Sequence, residues 1–89
     1  MTSSVTRSFR ELFEALPVEV QAQAIRCYQM WKSDPHHPSL QFKCVSPTHS
    51  IYSVRISLSY RALGILQGSH VTWFWIGSHS DYEKLLRRF

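Results

Sequence analysis

The apolar and polar positions along this chain change period twice, from helical to alternating and back to helical. Phe9, Leu12, Phe13 and Leu16 recur at helical spacing, and Ser8-x-x-Glu11 has the form of a capping box, so an amphipathic helix is expected over about residues 8–16. Pro17 suits the first turn of a second helix. Within that helix Val20, Ala24, Cys27 and Trp31 follow at intervals of four, three and four, flanked by Ile25 and Tyr28, and the pattern carries to about Lys32. Each helix has one apolar stripe, which predicts a helical hairpin. Pro35 and Pro38 then bar continuation through residues 33–39.

From residue 40 the period becomes two. Residues 40–45 read as a strand and residues 46–50 as a loop. Tyr52, Val54, Ile56, Leu58 and Tyr60 then alternate with Ser53, Arg55, Ser57 and Ser59, giving one apolar face and one small polar face with an arginine in its middle. A further strand is expected over residues 61–66, after a bend near Leu58-Ser59-Tyr60. Gln67-Gly68-Ser69-His70 is a hairpin turn in which Gly68 is free to take positive φ. The next strand, Val71-Thr72-Trp73-Phe74-Trp75-Ile76, presents Val71, Trp73 and Trp75 on one face and Thr72, Phe74 and Ile76 on the other. Both faces are mostly apolar, which predicts a strand covered on both sides and central in its sheet. Ser80-x-x-Glu83 has the form of a second capping box, and Tyr82, Leu85, Leu86 and Phe89 can share one side of a closing helix. The connections between strands are short, so neighbours are antiparallel. The expected fold is α+β: an N-terminal helical hairpin packed on a twisted four-stranded antiparallel sheet, with a short C-terminal helix, all within a single domain of residues 1–89. The hairpin covers one sheet face and leaves Arg55 and its serines on the other.

With 44% hydrophobic and 18% charged residues the chain reads as globular. It has no apolar run near the ~20 residues of a membrane span and no apolar core at its N-terminus, so a soluble, cytoplasmic protein is expected. Cys27 and Cys44 stand outside any C-x-x-C motif and read as small buried thiols. The net charge of +4 is less telling than its distribution. The six acids are Glu11, Glu14, Glu19, Asp34, Asp81 and Glu83, and none falls between Pro35 and Ser80. That interval holds Lys43, Arg55, Arg61 and all five histidines: His36, His37, His49, His70 and His79. A segregated positive field suits a polyanion such as nucleic acid, or an acidic protein partner.

A zinc site needs three or four converging ligands, but the histidine spacings are irregular and the interval that holds them contains no acid to serve as a ligand, so no metal or other cofactor is expected. A serine hydrolase lacks its G-x-S-x-G elbow. Metal-independent phosphodiester chemistry fits better, because RNA carries its own nucleophile in the 2′-hydroxyl and requires only acid–base groups and cations around the phosphorane. His79, just before a helix, can exchange protons near neutral pH. Arg55, Arg61 and Lys43 suit phosphate oxygens, and an exposed Tyr82 would stack an unpaired base. Blander readings stand beside these: His79 as a polar joint between strand and helix, Arg55 on a solvated strand face, Arg61 lying over Tyr60, Tyr82 in the core, and His36 and His37 as loop residues.

The segments His37-Pro38-Ser39-Leu40-x-Phe42-Lys43, Ile51-Tyr52-Ser53-Val54-Arg55, Tyr60-Arg61-Ala62-Leu63-Gly64 and Trp73-Phe74-Trp75-Ile76-Gly77-Ser78-His79-Ser80-Asp81-Tyr82, in this order, resemble the toxins of the RelE/ParE superfamily of type II toxin–antitoxin systems. The resemblance spans about residues 9–86, and the ending is most similar to the YafQ-like branch of ribosome-dependent mRNA endonucleases. It implies the same fold, a cognate antitoxin as partner, mRNA on the ribosome as substrate, and neither a membrane nor a small-molecule substrate. It implies that His79 is the catalytic histidine, that Arg61 stabilises the scissile phosphate, that His37 lies near the site, that Lys43 and Arg55 occupy basic strand positions and that Tyr82 lies close to the site. Ser57 and Ser59 stand where some YafQ-like members carry histidine or aspartate, and the strongly basic tail of RelE-type members is absent. ParE-type members instead act on DNA gyrase without cutting RNA, and some homologues are inactive. A gyrase-directed toxin and a degenerate, purely binding protein therefore remain the alternatives.

Overall fold

The computed structural model describes residues 1–89. Its elements are β1 (Thr2–Val5), α1 (Arg7–Glu14), α2 (Val18–Ser33), β2 (Lys43–Ser46), β3 (Ile51–Ser57), β4 (Tyr60–Gln67), β5 (His70–Ser78) and α3 (His79–Leu86), with 3-10 turns at Pro38–Leu40 and Pro47–His49. The strands form one sheet in the order β1-β5-β4-β3-β2. No helix is long and apolar enough to cross a membrane.

The sheet has five strands and is mixed, whereas the hydrophobic pattern predicts four, all antiparallel. The addition is β1, which runs parallel to β5 with Thr2 opposite His70 and Val5 opposite Trp73. Thr2-Ser3-Ser4 has no apolar alternation to announce a strand. It is held instead by backbone pairing and hydroxyl contacts: Thr2 Oγ1 and Ser4 Oγ lie 2.7 and 2.9 Å from the two ring nitrogens of His70, and Ser3 Oγ lies 2.7 Å from the Tyr28 hydroxyl.

The helix starts also differ from expectation. Thr6, not Ser8, caps α1, its Oγ1 accepting from the Phe9 backbone N–H at 3.1 Å. Glu11 pairs with Arg7 instead of closing a capping box. Ser78, not Ser80, caps α3, accepting from the Asp81 N–H at 3.1 Å. That shift places His79 at the first position of the helix. The two N-terminal helices share a sheet face but cover different strands, α1 over β5 and α2 over β3. The strand expected over residues 40–45 starts only at Lys43, because Pro38–Leu40 forms a 3-10 turn that Gln41 leaves in the left-handed region (φ 46). That turn drives Leu40 into the core, where it is 1% exposed.

Helices and sheet enclose the larger core, built on Ala24, Trp31, Leu40, Val54, Ala62, Val71, Trp73 and Ile76. Trp31 meets Trp73 edge-on, with ring centres 5.4 Å apart. On the opposite face α3 covers a smaller cluster of Ile51, Leu63 and Tyr82, with Phe74, Trp75, Leu85 and Leu86 against it. The strict alternation read from the sequence groups Trp75 with Trp73. In the structure Trp73 pairs with Gly64 and Trp75 with Leu63, leaving Phe74 as the extra residue of a bulge. The bulge flips the alternation, sending Ile76 to the helix face and Trp75 to the α3 face. Cover on both faces of β5 follows the expectation, but β5 stands second in the sheet, between β1 and β4, and the central strand is β4.

Cys27 is half-buried, donating its Sγ–H to the Ile56 carbonyl at 3.2 Å, and burial pushes its thiol above the ordinary range. Cys44 is exposed on edge strand β2, contrary to the buried-thiol reading. A thiol reagent titrated into the native protein is therefore expected to modify Cys44 first and Cys27 slowly; equal rates measured by intact mass would contradict this arrangement. Gly64 lets β4 approach β5 closely, since a Cβ there would stand 2.5 Å from Val71 Cγ1 and 2.8 Å from Trp73 Cε3. Gly64→Ala should cost about 1–3 kcal/mol in urea unfolding, and a change no larger than that of an ordinary surface substitution would show that the strands can part.

Candidate functional site

Three neighbouring strands each turn a polar side chain to the α3 side of the sheet, beside the apolar cluster of Ile51 and Leu63. Lys43 of β2 lies opposite Ser53 of β3, and Arg55 of β3 lies directly opposite Arg61 of β4. The period-two pattern of β3 dictates this: with Val54 and Ile56 packed toward the helices, Ser53 and Arg55 must face the other way. The end of β5 then hands the chain to α3, and the His79 N–H bonds to the Ser59 carbonyl at 2.7 Å, tying the helix start to the β3–β4 turn. Gln41, Lys43, Ser53, Arg55, Arg61, His79 and Tyr82 line one small cleft of about 70 Å³.

The cations of this cleft have no carboxylate partners. The chain's two ion pairs are Arg7–Glu11 and His79–Glu83, so Lys43, Arg55 and Arg61 are all unpaired. Like charges directly across a strand pair repel. Burial first, and the neighbouring Arg55 second, pull Arg61 below the ordinary arginine range, with Tyr82 opposing. Its guanidinium is anchored by carbonyls at the end of β3 and the start of β4, donating to Ser57 O and, at 2.9 Å, to Tyr60 O. This bonding fixes the position of the charge beside Arg55. His79 Nε2 stands 3.6 Å from Glu83 Oε1, one helical turn on, and the imidazole lies 5.7 Å from the Tyr82 ring centre. Gly77, opposite Arg61, has no Cβ because the Trp75 ring occupies that space: a Cβ would meet Trp75 Cζ2 at 2.6 Å.

Five of the six residues singled out from the sequence converge here: His79, Arg61, Arg55, Lys43 and Tyr82. Tyr82 differs from the expected exposed aromatic. It is 7% exposed, its ring is part of the core beneath α3, and its hydroxyl donates to Ser53 Oγ at 3.3 Å. It floors the cleft and leaves no open ring face on which a base could stack. His37 does not line the cleft; its Nδ1 accepts from the Ser39 N–H and lies 2.8 Å from Ser39 Oγ, capping the 3-10 turn. The other histidines are dispersed, His36 against Phe42, His49 between Ser46 and Phe89, and His70 of β5 against Thr2 and Ser4 of β1. No three His, Cys, Asp or Glu side chains converge in the manner of a metal site. Sequence reasoning missed Gln41, Ser53 and Glu83. Glu83 was legible as the i+4 neighbour of His79, and Ser53 as the i−2 neighbour of Arg55. Gln41 depends on a left-handed turn that no local pattern marks.

The model of the ParE-like toxin domain matches residues 18–84. No curated protein sequence matches the chain. Among solved structures the chain is similar to the RelB–RelE antitoxin–toxin complex from Methanococcus jannaschii, with TM-score 0.72 and 11% identity over 91% of this chain and 95% of that one. YafQ from E. coli strain BL21(DE3) aligns with TM-score 0.71 and 6% identity over 90% and 94% of the two chains. The toxin–antitoxin complex RelBE2 from Mycobacterium tuberculosis aligns with TM-score 0.69 and 17% identity over 88% and 96%. At such identities the structural likeness is one of fold. The family match spans most of the chain and includes Lys43, Arg55, Arg61, His79 and Tyr82, and on it the chain belongs to the ParE-like toxin domain family, within the RelE/ParE superfamily of toxins.

Proposed function

We propose that this chain is the toxin of a type II toxin–antitoxin pair, that it cleaves messenger RNA without a metal, and that the ribosome presents the message. The observation that carries this reading is the opposition of Arg55 and Arg61 beside Lys43 and His79, in a cleft with no carboxylate to neutralise its arginines and lysine. Two facing arginines are unfavourable until an anion lies between them, and a phosphodiester supplies one. In the reaction the ribose 2′-hydroxyl attacks the adjacent phosphorus, the bond to the 5′-oxygen breaks, and a 2′,3′-cyclic phosphate remains. One proton leaves the 2′-oxygen and another reaches the departing 5′-oxygen. His79 is the lining side chain suited to such transfers, with Glu83 orienting its ring. Arg55, Arg61 and Lys43 neutralise the charge that gathers on the phosphorane. The antitoxin is the partner that shields this basic face.

His79→Ala is expected to abolish transcript cleavage and growth arrest on induction while leaving the fold intact, read by mapping transcript 5′ ends. Arrest by both wild type and His79→Ala with intact transcripts and DNA damage would favour the gyrase-directed alternative. Arg55→Gln is expected to lose cleavage yet gain roughly 0.2–1 kcal/mol of stability at low salt by relieving the arginine opposition, with the gain shrinking as salt screens it. Unchanged or lowered stability at low salt would remove the argument from like-charge opposition.

A further inference from the structure

Beyond the cleft, β3 has a free edge. β2 pairs with β3 no further than Ser53, while Val54, Arg55 and Ser57 continue to pair with β4 on the other side. A groove of about 420 Å³ runs along this open edge, between α2 and the Pro38–Leu40 turn. Two links join it to the cleft: Arg55 lines both, and the consecutive residues Leu40 and Gln41 line one each. Its far wall is α2, which contributes Arg26, an exposed arginine with no ion pair, and Gln23. Ser39 and Ser57 add hydroxyls, Leu40 and Ile56 add apolar floor, and no carboxylate lines the groove. The wall is anchored, because Ile56 is the extra residue of a bulge and its carbonyl accepts from Cys27 Sγ of α2. His37, outside the cleft, lies within hydrogen-bonding distance of the Ser39 hydroxyl at the groove's rim.

We infer that this groove holds the single-stranded RNA flanking the scissile phosphate, with Arg26 taking a neighbouring phosphate while Arg55 bridges cleft and groove. The inference rests on the RNA-cleaving reading above. Continuity through Arg55 and a lining of cations, hydroxyls, an amide and apolar patches without any acid suit a sugar–phosphate chain better than an acidic peptide, for which an open strand edge alone would serve. Arg26 is thereby a substrate-binding residue on a helix that the cleft does not otherwise use.

The test compares cleavage by wild type, Arg26→Ala, Arg26→Lys and Lys32→Ala, on free and ribosome-bound messages. Substrates either end two nucleotides from the cut or extend several further on one side or the other. Lys32 is the control, an α2 cation over the Tyr28 ring that lines neither cleft nor groove. Extension on one side is expected to raise wild-type kcat/KM roughly tenfold, about the effect of one charge-assisted phosphate contact. Arg26→Ala should lose that gain, Arg26→Lys keep most of it, and Lys32→Ala behave as wild type. Arg26→Ala leaves an exposed helical position with a strong helix former, so its fold is expected to persist. An equal gain in wild type and Arg26→Ala, or no gain in wild type, would overturn the groove assignment while RNA cleavage stands. A change confined to antitoxin affinity would assign the groove to the protein partner instead. Failure of wild type to cut any of these messages would remove the RNA reading itself.

Discussion

Strand β5 has to satisfy two cores at once, and the bulge at Phe74 is how it does so. Before the bulge, Val71 and Trp73 point toward α1 and α2; after it, Ile76 takes over that side while Trp75 turns toward α3. A strictly alternating strand would keep Trp75 beside Trp73 and would leave the α3 side without its indole. With the bulge, each face receives bulky apolar groups where a helix covers it. Gly64 and Gly77 are the complement of this arrangement, since side chains at those positions would collide with Trp73 and Trp75 respectively. The placement of α3, and hence of His79, follows from this one irregularity in the ladder.

The cleft stands apart from this apolar economy. Its members come from Gln41, from β2, β3 and β4 and from the first turn of α3, and three of them are held by neighbours. Arg61 is held by the carbonyls of Ser57 and Tyr60, His79 by Glu83 and by the backbone bond to Ser59, and Tyr82 by the core below it. The charges of Lys43, Arg55 and Arg61 have no carboxylate partner. Such an arrangement costs folding stability, the usual mark of a surface kept for a ligand. The groove along the open edge of β3 extends the same unpaired positive surface onto α2 through Arg55.

Much of this was legible in the residues themselves. Helical periodicity marked α1 and α2, alternation placed Arg55 on the face away from the helices, and the two-sided apolar character of residues 71–76 marked a covered strand. The acid-free interval from Pro35 to Ser80 announced a cationic surface, and the order of the short motifs announced the superfamily. Local pattern is enough for these because burial of apolar side chains dictates which face each element turns inward.

Other features were decided only in three dimensions. β1 exists because β5 offers it a partner, and its hydroxyl-rich sequence has no apolar pattern of its own. The helix caps moved by two residues, to Thr6 and Ser78, because several nearby hydroxyls compete and the neighbouring strands decide where each helix begins. Tyr82 became core and His37 a local cap because exposure depends on what packs above a residue, which spacing along the chain does not contain. By itself the sequence determined which side chains were available and which face of each element they share. Only the tertiary structure decided that Arg55 and Arg61 stand opposed, that Arg55 reaches two surfaces, and that one histidine of five joins them, because those relations depend on strand register and on a single inserted residue.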